Sequence, residues 1–489
     1  MRRLTAVTRA WTGLAIALAA LGCAVPRDAI TTAGERAAGR ERVTATVHVT
    51  ASAERGLPRV PADFLGLSFE AADLTHPRLD PDDTRVRHLL ANLGAGTLRF
   101  GGNTVERTGW SRSTLPQDPR RTIVTPADLD RVFALAQSVG WRVILGVGLA
   151  RNDPAPGADA AAYAAANWGE SLVAIEIGNE PDRYASADRN LRPVSWGLPD
   201  YRAELEAHKN AVARRAPGVV IAGPATCCRP DWLEAVVRDP RTRPGLATHH
   251  FYPLWENARD PAHSPTLENL LAPSTMRRVV EIVGPLAEVC REHGVPLSID
   301  ETNSVTRGGA IGVSDTFASA LWALDYVFTL AGQGVRAANF HVGLGACGTY
   351  SPICLRDVEQ PARPLYYAML VSARALPGSV VPVAVRTRAN VAAHAILRDD
   401  GTLRLVLVNK ELGRPVEMNV RIRGAYTEAG VWRLTAPQPT SRDGVRLGGR
   451  RVASDGRWEP GPEEGSSVEG GWLTIELAPA SAALVECRR

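Results

Sequence analysis

Two glutamates follow apolar segments that are typical of parallel β-strands. Glu180 lies in Ala-Ile-Glu-Ile-Gly-Asn179-Glu180-Pro181, and Glu301 lies in Leu-Ser-Ile-Asp300-Glu301-Thr302-Asn303. These segments are the fourth and seventh of eight strand-like segments, which would face each other across the mouth of a closed barrel. A carboxylic acid on one side of a sugar and a carboxylate on the other can hydrolyse a glycosidic bond. The pair therefore predicts glycosidase chemistry.

The neighbours of each glutamate indicate where its side chain would lie. Pro181 disfavours helix directly after the fourth strand, so we expect Glu180 at the rim of the barrel. Successive residues of a strand point to opposite faces. We therefore expect Glu301 to point into the site and Asp300 to point away, into a salt bridge or a cap. A general acid must be protonated near its working pH, so we expect a raised pKa for Glu180 and an ionised Glu301.

Alternating strand and helix patterns between about residues 61 and 376 would position these groups. The strands are short and apolar on both faces, as expected for parallel strands covered by helices. An open doubly wound sheet is the alternative, but the count of eight and the polar strand ends favour an α/β fold of the (β/α)8 TIM-barrel type. The predicted strands cover 64–69, 97–100, 142–147, 172–177, 219–222, 247–252, 297–300 and 337–342.

The remainder of the chain has a different pattern. After Pro377, apolar and polar residues alternate in short runs separated by glycine and proline, which predicts a β-sandwich over 377–489. An isolated strand in 42–60 alternates in the same way and is expected to join that sandwich, because it would not be stable alone. The barrel would then be inserted between the two parts of one β domain.

The first 23 residues have the features of a signal peptide. Arg2, Arg3 and Arg9 precede an apolar run over 14–21, and Gly22-Cys23 follows. This arrangement resembles a bacterial lipoprotein signal in which Cys23 is lipidated, with 24–41 as a linker; ordinary secretion is the alternative. We expect an exported protein, anchored at the bacterial cell envelope as a lipoprotein or otherwise periplasmic or secreted.

Composition excludes some partners and cofactors. The net charge of +4 over 489 residues and the absence of a basic run give no reason to expect nucleic acid. We expect membrane contact only through the lipid anchor. Neither Cys-x-x-Cys nor His-Glu-x-x-His occurs, so no metal or other cofactor is predicted. Cys347 and Cys354 are close enough for a local disulfide, whereas the adjacent Cys227 and Cys228 are expected to bond elsewhere rather than to each other.

Several further motifs make the chain similar to glycoside hydrolase family 79, the β-glucuronidase and heparanase group. The resemblance covers roughly residues 43–487. The Asn-Glu-Pro element is common to a large clan, but the whole set in this order is more specific. The matching stretches are Leu67-Ser68-Phe69-Glu70, Leu98-Arg99-Phe100-Gly101-Gly102-Asn103-Thr104, Ile177-Gly178-Asn179-Glu180-Pro181, His249-His250-Phe251-Tyr252, Asp300-Glu301-Thr302-Asn303-Ser304 and Gly348-Thr349-Tyr350.

The resemblance implies a role for each matched residue. Glu180 would be the acid/base and Glu301 the nucleophile of a retaining mechanism. Asn179 would bind the 2-hydroxyl, and Tyr252 would hold the nucleophile. The other implied substrate contacts are Glu70 to sugar hydroxyls, His250 in the pocket lining, and Gly348 and Tyr350 near the substrate carboxylate.

One loop departs from the family pattern. Thr306 stands where the family commonly has a tyrosine, and Arg307 stands where it has the first of two glycines. A guanidinium can bind a carboxylate through two parallel hydrogen bonds. We therefore expect Arg307, with Tyr350 and the backbone of Gly308, to bind the uronate carboxylate.

The sequence thus predicts a retaining, exo-acting β-glycosidase for β-linked glucuronic acid in an oligosaccharide or glycoconjugate. Two alternatives stay open at this point. A clan relative could act on neutral sugars, as a β-glucosidase, arabinofuranosidase or endo-glycanase. A non-catalytic glycan-binding lipoprotein is the other alternative, although the presence of both glutamates argues against it.

Overall fold

The computed structural model describes residues 43–50, 56–113, 121–345 and 347–489. The expected signal peptide, the lipidation site Cys23 and the linker lie outside these ranges. Within them, no helix has both the length and the apolar character needed to cross a bilayer.

Eight parallel strands close into a barrel in chain order, with the last strand paired to the first. The register places Phe340 opposite Leu67 at that closure. This confirms the predicted (β/α)8 barrel. The strands are Leu65–Glu70, Thr97–Gly101, Arg142–Val147, Leu172–Ile177, Ile221–Thr226, Leu246–Phe251, Leu297–Thr302 and Ala337–His341.

The fifth strand differs most from its predicted bounds. The sequence places its end at residue 222, before Gly223-Pro224, but the structure continues it to Thr226. A register shift between Thr248 and His249 of the sixth strand lies beside this extension. Proline lacks a backbone donor and is tolerated in sheets at such irregularities.

Helices cover the outside of the barrel, and many begin with proline at the first or second helical position. The missing N–H of proline costs nothing there, because that position has no acceptor within the helix. Thr125 and Asp128 form a capping box before one of them. The α-helices are Thr84–Ala91, Pro126–Ser138, Pro154–Trp168, Leu198–Arg215, Pro230–Arg238, Leu267–Leu271, Pro273–Glu292, Phe317–Gly332 and Pro364–Ala375.

Among the described residues, two larger sheets, the first of them four-stranded, lie outside the barrel and share a second hydrophobic core. A third sheet pairs only Thr108–Trp110 with Thr122–Val124. The N-terminal strand Val43–Thr50 joins the first sheet, where it runs parallel to Val416–Arg423 with Val47 opposite Val420. The four-stranded sheet has the order Val383–Arg386, Val43–Thr50, Val416–Arg423, Trp472–Leu477. The larger sheet has the order Arg446–Leu447, Glu428–Thr435, Ser481–Arg488, Leu403–Asn409, Val391–Leu397, Gly378–Val381, Arg59–Val60, with Glu464–Ser467 paired to Glu428–Thr435.

A buried ionic cluster connects the barrel to the larger sheet. Asp325, on the helix Phe317–Gly332, lies 2.7 Å from Lys410 Nζ and 2.9 Å from His394 Nε2. Burial would raise the pKa of Asp325, but Lys410 and His394 outweigh it and lower the pKa to about 2. The carboxylate is therefore ionised and depends on its partners.

Lys410→Met should lower the free energy of unfolding by about 3–5 kcal/mol, because it leaves a buried carboxylate without its cation. Urea unfolding would measure the change. Because the folded-state pKa of Asp325 is below its ordinary 3.8, its contribution is present above that pH and is lost as pH falls toward about 2. Arg414→Met, at an exposed arginine that pairs with Glu411, is the control and should cost at most about 1 kcal/mol. Equal losses in both variants would contradict this account.

Candidate active site

A cavity of about 1040 Å³ opens at the carboxyl ends of the barrel strands. Nine of the ten residues expected from the sequence to act on substrate line it, and Asn179 lies just outside this lining. The expected residues in the lining are Glu70, Glu180, His250, Tyr252, Glu301, Arg307, Gly308, Gly348 and Tyr350.

Glu180 and Glu301 face each other across the floor of this cavity. One carboxylate oxygen of Glu180, one of Glu301 and one ring nitrogen of His250 all lie within 4.8 Å of one another. Retaining glycosidases hold their two carboxyl groups about 5–5.5 Å apart, whereas inverting enzymes need about 6.5–9.5 Å to admit water. The observed distance joins only the nearest oxygens of Glu180 and Glu301, and it places the two carboxylates side by side at this end of the barrel.

The buried guanidinium of Arg99, on the second strand, organises the floor of the site. Its Nη1 donates to Glu301 Oε2 at 2.7 Å and to Ser68 Oγ at 3.1 Å. Its Nη2 donates to Asn179 Oδ1 at 2.8 Å, and its Nε donates to Glu176 Oε2 at 2.8 Å. One side chain therefore fixes groups from the first, fourth and seventh strands.

Glu301 is held ionised and oriented. Tyr252 donates its hydroxyl to Glu301 Oε1 at 2.9 Å, while Arg99 binds the other oxygen. His341 Nδ1 is 3.8 Å from the same Oε2. Burial would raise the pKa of Glu301, but His341, His250 and Arg99 hold it well below its ordinary value. A carboxylate in this state can act as a nucleophile.

Asp300 does not point away from the site as the alternation predicts. Its Oδ2 lies 3.3 Å from Arg99 Nε, so Asp300 and Glu301 reach the same guanidinium. Register shifts on both sides of the seventh strand break the alternation at this point. The expected salt bridge is present, but it lies inside the barrel.

The carboxyl groups of Glu176, Asp300 and Glu301 all lie within 3.3 Å of the Arg99 guanidinium. Burial and the charge of Glu176 raise the pKa of Asp300 well above its ordinary value. Burial acts in the same direction on Glu176, but Arg99 and a hydrogen bond from Asp300 lower its pKa. A proton on Asp300 would also form a hydrogen bond with Glu176. Glu176 Oε1 and both carboxyl oxygens of Asp300 have no other hydrogen-bond partner among the described residues.

Glu180 departs from its expected protonation state. Burial would raise the pKa of Glu180, but His250 and Arg189 outweigh it and lower the pKa to about 2. His250 Nδ1 lies 3.3 Å from Glu180 Oε1, and both Arg183 and Arg189 donate to Oε2. The expectation of a raised pKa is therefore wrong for this arrangement, because His250, and after it Arg189, stabilises the ionised carboxylate.

Glu70 also lines the cavity, at the end of the first strand. Its Oε2 accepts from the backbone N–H of Thr104 at 2.7 Å, and its Oε1 is 3.7 Å from His341 Nε2. Gly102 has φ +63°, and a Cβ at this position would come within 2.6 Å of the Glu70 carboxylate. Glycine is therefore needed here for both conformation and space.

Arg307 lies at the cavity edge, on the loop that follows the seventh strand. Its Nη2 is 3.5 Å from Asp188 Oδ2, and 58% of its side chain is exposed. Tyr350 and Gly308 line the same cavity. Binding of a substrate carboxylate by Arg307 would therefore compete with Asp188.

The structure adds functional candidates that the sequence reasoning missed. Arg99 and Glu176 are charged residues inside otherwise apolar strands. Such residues can be recognised in a sequence as candidates for a site, because buried charges need partners. His341 ends the eighth strand and was equally visible. Asp73 and Arg189 lie outside the strands, and nothing in the sequence alone indicates their position in the cavity.

Two groups of side chains among the described residues come close enough together to be considered as metal ligands. In the first, Glu180, His250 and Glu301, the carboxylate oxygens already accept hydrogen bonds from protein donors. The second comprises Asp182, Cys227 and Cys228 at the cavity rim.

The curated relatives that the chain matches are both β-glucuronidases. No family model matches the chain. The β-glucuronidase of Aspergillus niger is 26% identical over 277 residues, which are 49% of this chain and 48% of that protein. The chain thus spans about half the length of the curated relatives it matches.

Solved structures match nearly the whole chain. A 4-O-α-L-rhamnosyl-β-D-glucuronidase from Fusarium oxysporum has a TM-score of 0.76 at 22% identity, covering 90% of this chain and 99% of that chain. A family 51 arabinofuranosidase from Xanthomonas axonopodis pv. citri has a TM-score of 0.67 at 13% identity, covering 91% and 100%. At these identities the likeness shows the fold alone.

The proton assignment around Arg99 predicts unequal effects of two isosteric substitutions. Asp300→Asn should change the free energy of unfolding by about 1 kcal/mol or less, because it replaces a neutral group. Glu176→Gln should cost roughly 3 kcal/mol or more, because it removes an ionised partner of a buried guanidinium. Thermal unfolding of the two variants would measure both. The reverse order would mean that Asp300 carries the charge.

Proposed function

We propose that this protein is a retaining, exo-acting β-glucuronidase of the family 79 type. The observation that carries the proposal is the close approach of the Glu180 and Glu301 carboxylates on the floor of one cavity. The fold and the similarity to β-glucuronidases support it further. Neither glutamate requires a metal for the double-displacement reaction.

In this proposal Glu301 attacks the anomeric carbon. Arg99 and Tyr252 keep its carboxylate ionised and oriented. Asn179 accepts from Arg99 through Oδ1, and its Nδ2 has no partner among the described residues. That free donor is suited to the sugar 2-hydroxyl, where hydrogen bonds strengthen in the transition state.

Glu180 would act first as the acid and then as the base. It must be protonated for the first role, yet Arg183 and Arg189 stabilise its ionised form. We infer that a bound leaving group displaces Arg189 from the carboxylate. Loss of that contact would raise the pKa of Glu180 at the moment when a proton is needed.

Glucuronate is the proposed glycone for two reasons. The curated relatives are β-glucuronidases. The cavity also offers several cationic groups to an anionic sugar, among them Arg307 and His341. Burial lowers the pKa of His341, but Glu301 and Glu70 outweigh it and raise the pKa above the ordinary value. A uronate carboxylate needs such donors, because an unpaired buried charge is costly.

Two further proposals concern the rest of the chain. We interpret the two sheets that share the second core as the β-sandwich expected from the sequence, with the barrel inserted between its parts. We also propose export as a lipoprotein anchored through Cys23, on the sequence pattern alone. Glucuronic-acid-containing oligosaccharides or glycoconjugates at the cell envelope would then be the substrates.

A panel of nitrophenyl glycosides tests the proposed activity and the two catalytic roles. Wild-type protein should hydrolyse the β-glucuronide in preference to the β-glucoside and the α-arabinofuranoside. Glu301→Gln should abolish turnover. Glu180→Gln should keep the first step on substrates with good leaving groups, and azide should partly restore turnover. Substantial activity in Glu301→Gln would refute the assignment of the nucleophile.

The guanidinium contacts on Glu180 predict a pH effect. Arg189→Gln removes a positive charge, so the pKa of Glu180 should rise and its protonated form should persist to higher pH. The alkaline limb of the plot of kcat/KM against pH should therefore shift to higher pH. Arg202→Gln is the control, because Arg202 pairs with Asp239 away from the cavity. An unchanged limb in Arg189→Gln would contradict the inference.

The role of Arg307 is tested by comparing two substrates. Loss of a charge-assisted hydrogen bond costs roughly 1.5–3 kcal/mol, or about ten- to a hundredfold in kcat/KM. Arg307→Ala should show this loss on a β-glucuronide and little change on the matching β-glucoside. Arg291→Ala, at an exposed surface pair, should change neither. Equal losses on both sugars would exclude carboxylate recognition by Arg307.

A further inference from the structure

Two adjacent cysteines line the cavity beside Glu180 and are not used by the proposed mechanism. Cys227 and Cys228 follow the fifth strand, just before the helix Pro230–Arg238. Their Sγ atoms are 2.7 Å apart. This distance is shorter than a van der Waals contact between two sulfurs and longer than a disulfide bond of about 2.05 Å. The pair is therefore poised either to bond or to share a ligand.

A metal ion does not fit this geometry. Two Zn–S bonds of about 2.3 Å in tetrahedral coordination place the sulfurs about 3.7 Å apart. Metal binding also requires thiolates, whereas the hydrogen bond to Cys228 and burial raise the pKa of the Cys227 thiol. The third candidate ligand, Asp182, is already engaged by backbone donors.

Other thiols of the described chain are poorly placed to react with this pair. Cys290 is buried in the barrel core, and Cys487 is buried in the core between the two sheets. The remaining described cysteines, Cys347 and Cys354, are bonded to each other. The expectation that Cys227 and Cys228 bond elsewhere thus finds no partner in the described residues.

The backbone around the pair is fixed by one carboxylate. Asp182 accepts from the backbone N–H groups of Cys227, Cys228 and Arg229 at 3.2, 2.8 and 2.9 Å. These bonds hold the two cysteines side by side, independently of any bond between their sulfurs. Preorganisation of this kind lowers the entropic cost of closing a small ring.

We propose that Cys227 and Cys228 form a vicinal disulfide in the wall of the cavity. The oxidant is a protein or small-molecule disulfide. One cysteine thiolate attacks it and releases a thiolate, and the second cysteine then displaces the other half of the mixed disulfide. Two thiols of this chain are oxidised and one external disulfide is reduced to two thiols. The disulfide between Cys347 and Cys354 fits a protein that matures where thiols are oxidised.

The bond would shape the leaving-group side of the site, which rests on the proposed function. Cys227 and Cys228 line the cavity with Glu180 and Arg183, and the acid/base residue must lie beside the leaving group. An eight-membered disulfide ring is rigid and apolar, whereas two thiols rotate freely. The oxidised pair would therefore present a fixed surface to an aglycone sugar.

Differential alkylation tests the bond without any activity measurement. The full chain is denatured in acid, alkylated without reductant, then reduced, alkylated with a second reagent and digested for mass spectrometry. Cys227 and Cys228 should carry only the second label, as Cys347 and Cys354 should. Cys290 and Cys487 should carry the first. First label on both Cys227 and Cys228, or, in a parallel digest left unreduced, a disulfide joining either to another cysteine, would overturn the proposal.

A kinetic comparison tests the consequence of the bond. With a glucuronyl disaccharide, reduction of the wild type should raise KM about tenfold, since a methylene-sized contact is worth roughly 10- to 200-fold in kcat/KM. The Cys227→Ser/Cys228→Ser variant should show the higher KM with or without reductant. A reductant effect that persists in this variant would assign it to Cys347–Cys354 and overturn the proposed role. If the wild type hydrolyses no glucuronide, the proposed function fails while the alkylation result still decides the bond.

Discussion

The Arg99 guanidinium holds together the strands that carry the two glutamates. It is fully buried and contacts Glu301, Asn179 and Glu176. A buried cation is stable only when its partners are in place, and buried carboxylates have the same requirement. The geometry of the floor is therefore enforced by mutual charge compensation. The closed barrel supplies the rigid frame in which this compensation can occur.

The same compensation explains why neighbouring carboxyl groups differ in protonation. Asp300 and Glu301 are adjacent in sequence and reach the same guanidinium. Burial and the charge of Glu176 raise the pKa of Asp300 well above its ordinary value, whereas the cations around Glu301 lower its pKa. In the proposed mechanism this difference in pKa leaves Glu301 as the ionised nucleophile and Asp300 as its neutral neighbour. Glu180 is ionised for a different reason, its contacts with His250 and Arg189, and these contacts are at the open cavity, where a ligand can replace them.

Much of this arrangement could be predicted from the sequence, because the barrel repeats one pattern eight times and its strands end in polar residues. The positions of Glu180 and Glu301 follow from that pattern. The direction of Asp300 could not be predicted, because register shifts break the alternation on which the prediction depends. The pKa of Glu180 could not be predicted either, since Arg189 reaches it from a loop nine residues later. Arg99 was visible in the sequence as a charge inside an apolar strand, but its partners appear only when the strands are placed side by side.

In the proposed mechanism Glu301 forms a covalent bond to glucuronic acid. A 2-deoxy-2-fluoro-β-glucuronyl fluoride would test it most directly, since fluorine at carbon 2 slows hydrolysis of the intermediate more than its formation. Intact-protein mass spectrometry should show one fluoroglucuronyl group per chain, and peptide mapping should place it on Glu301. Glu301→Gln should remain unlabelled. A label on Glu180, or hydrolysis of β-glucuronides by a wild type that never acquires a label, would contradict the account.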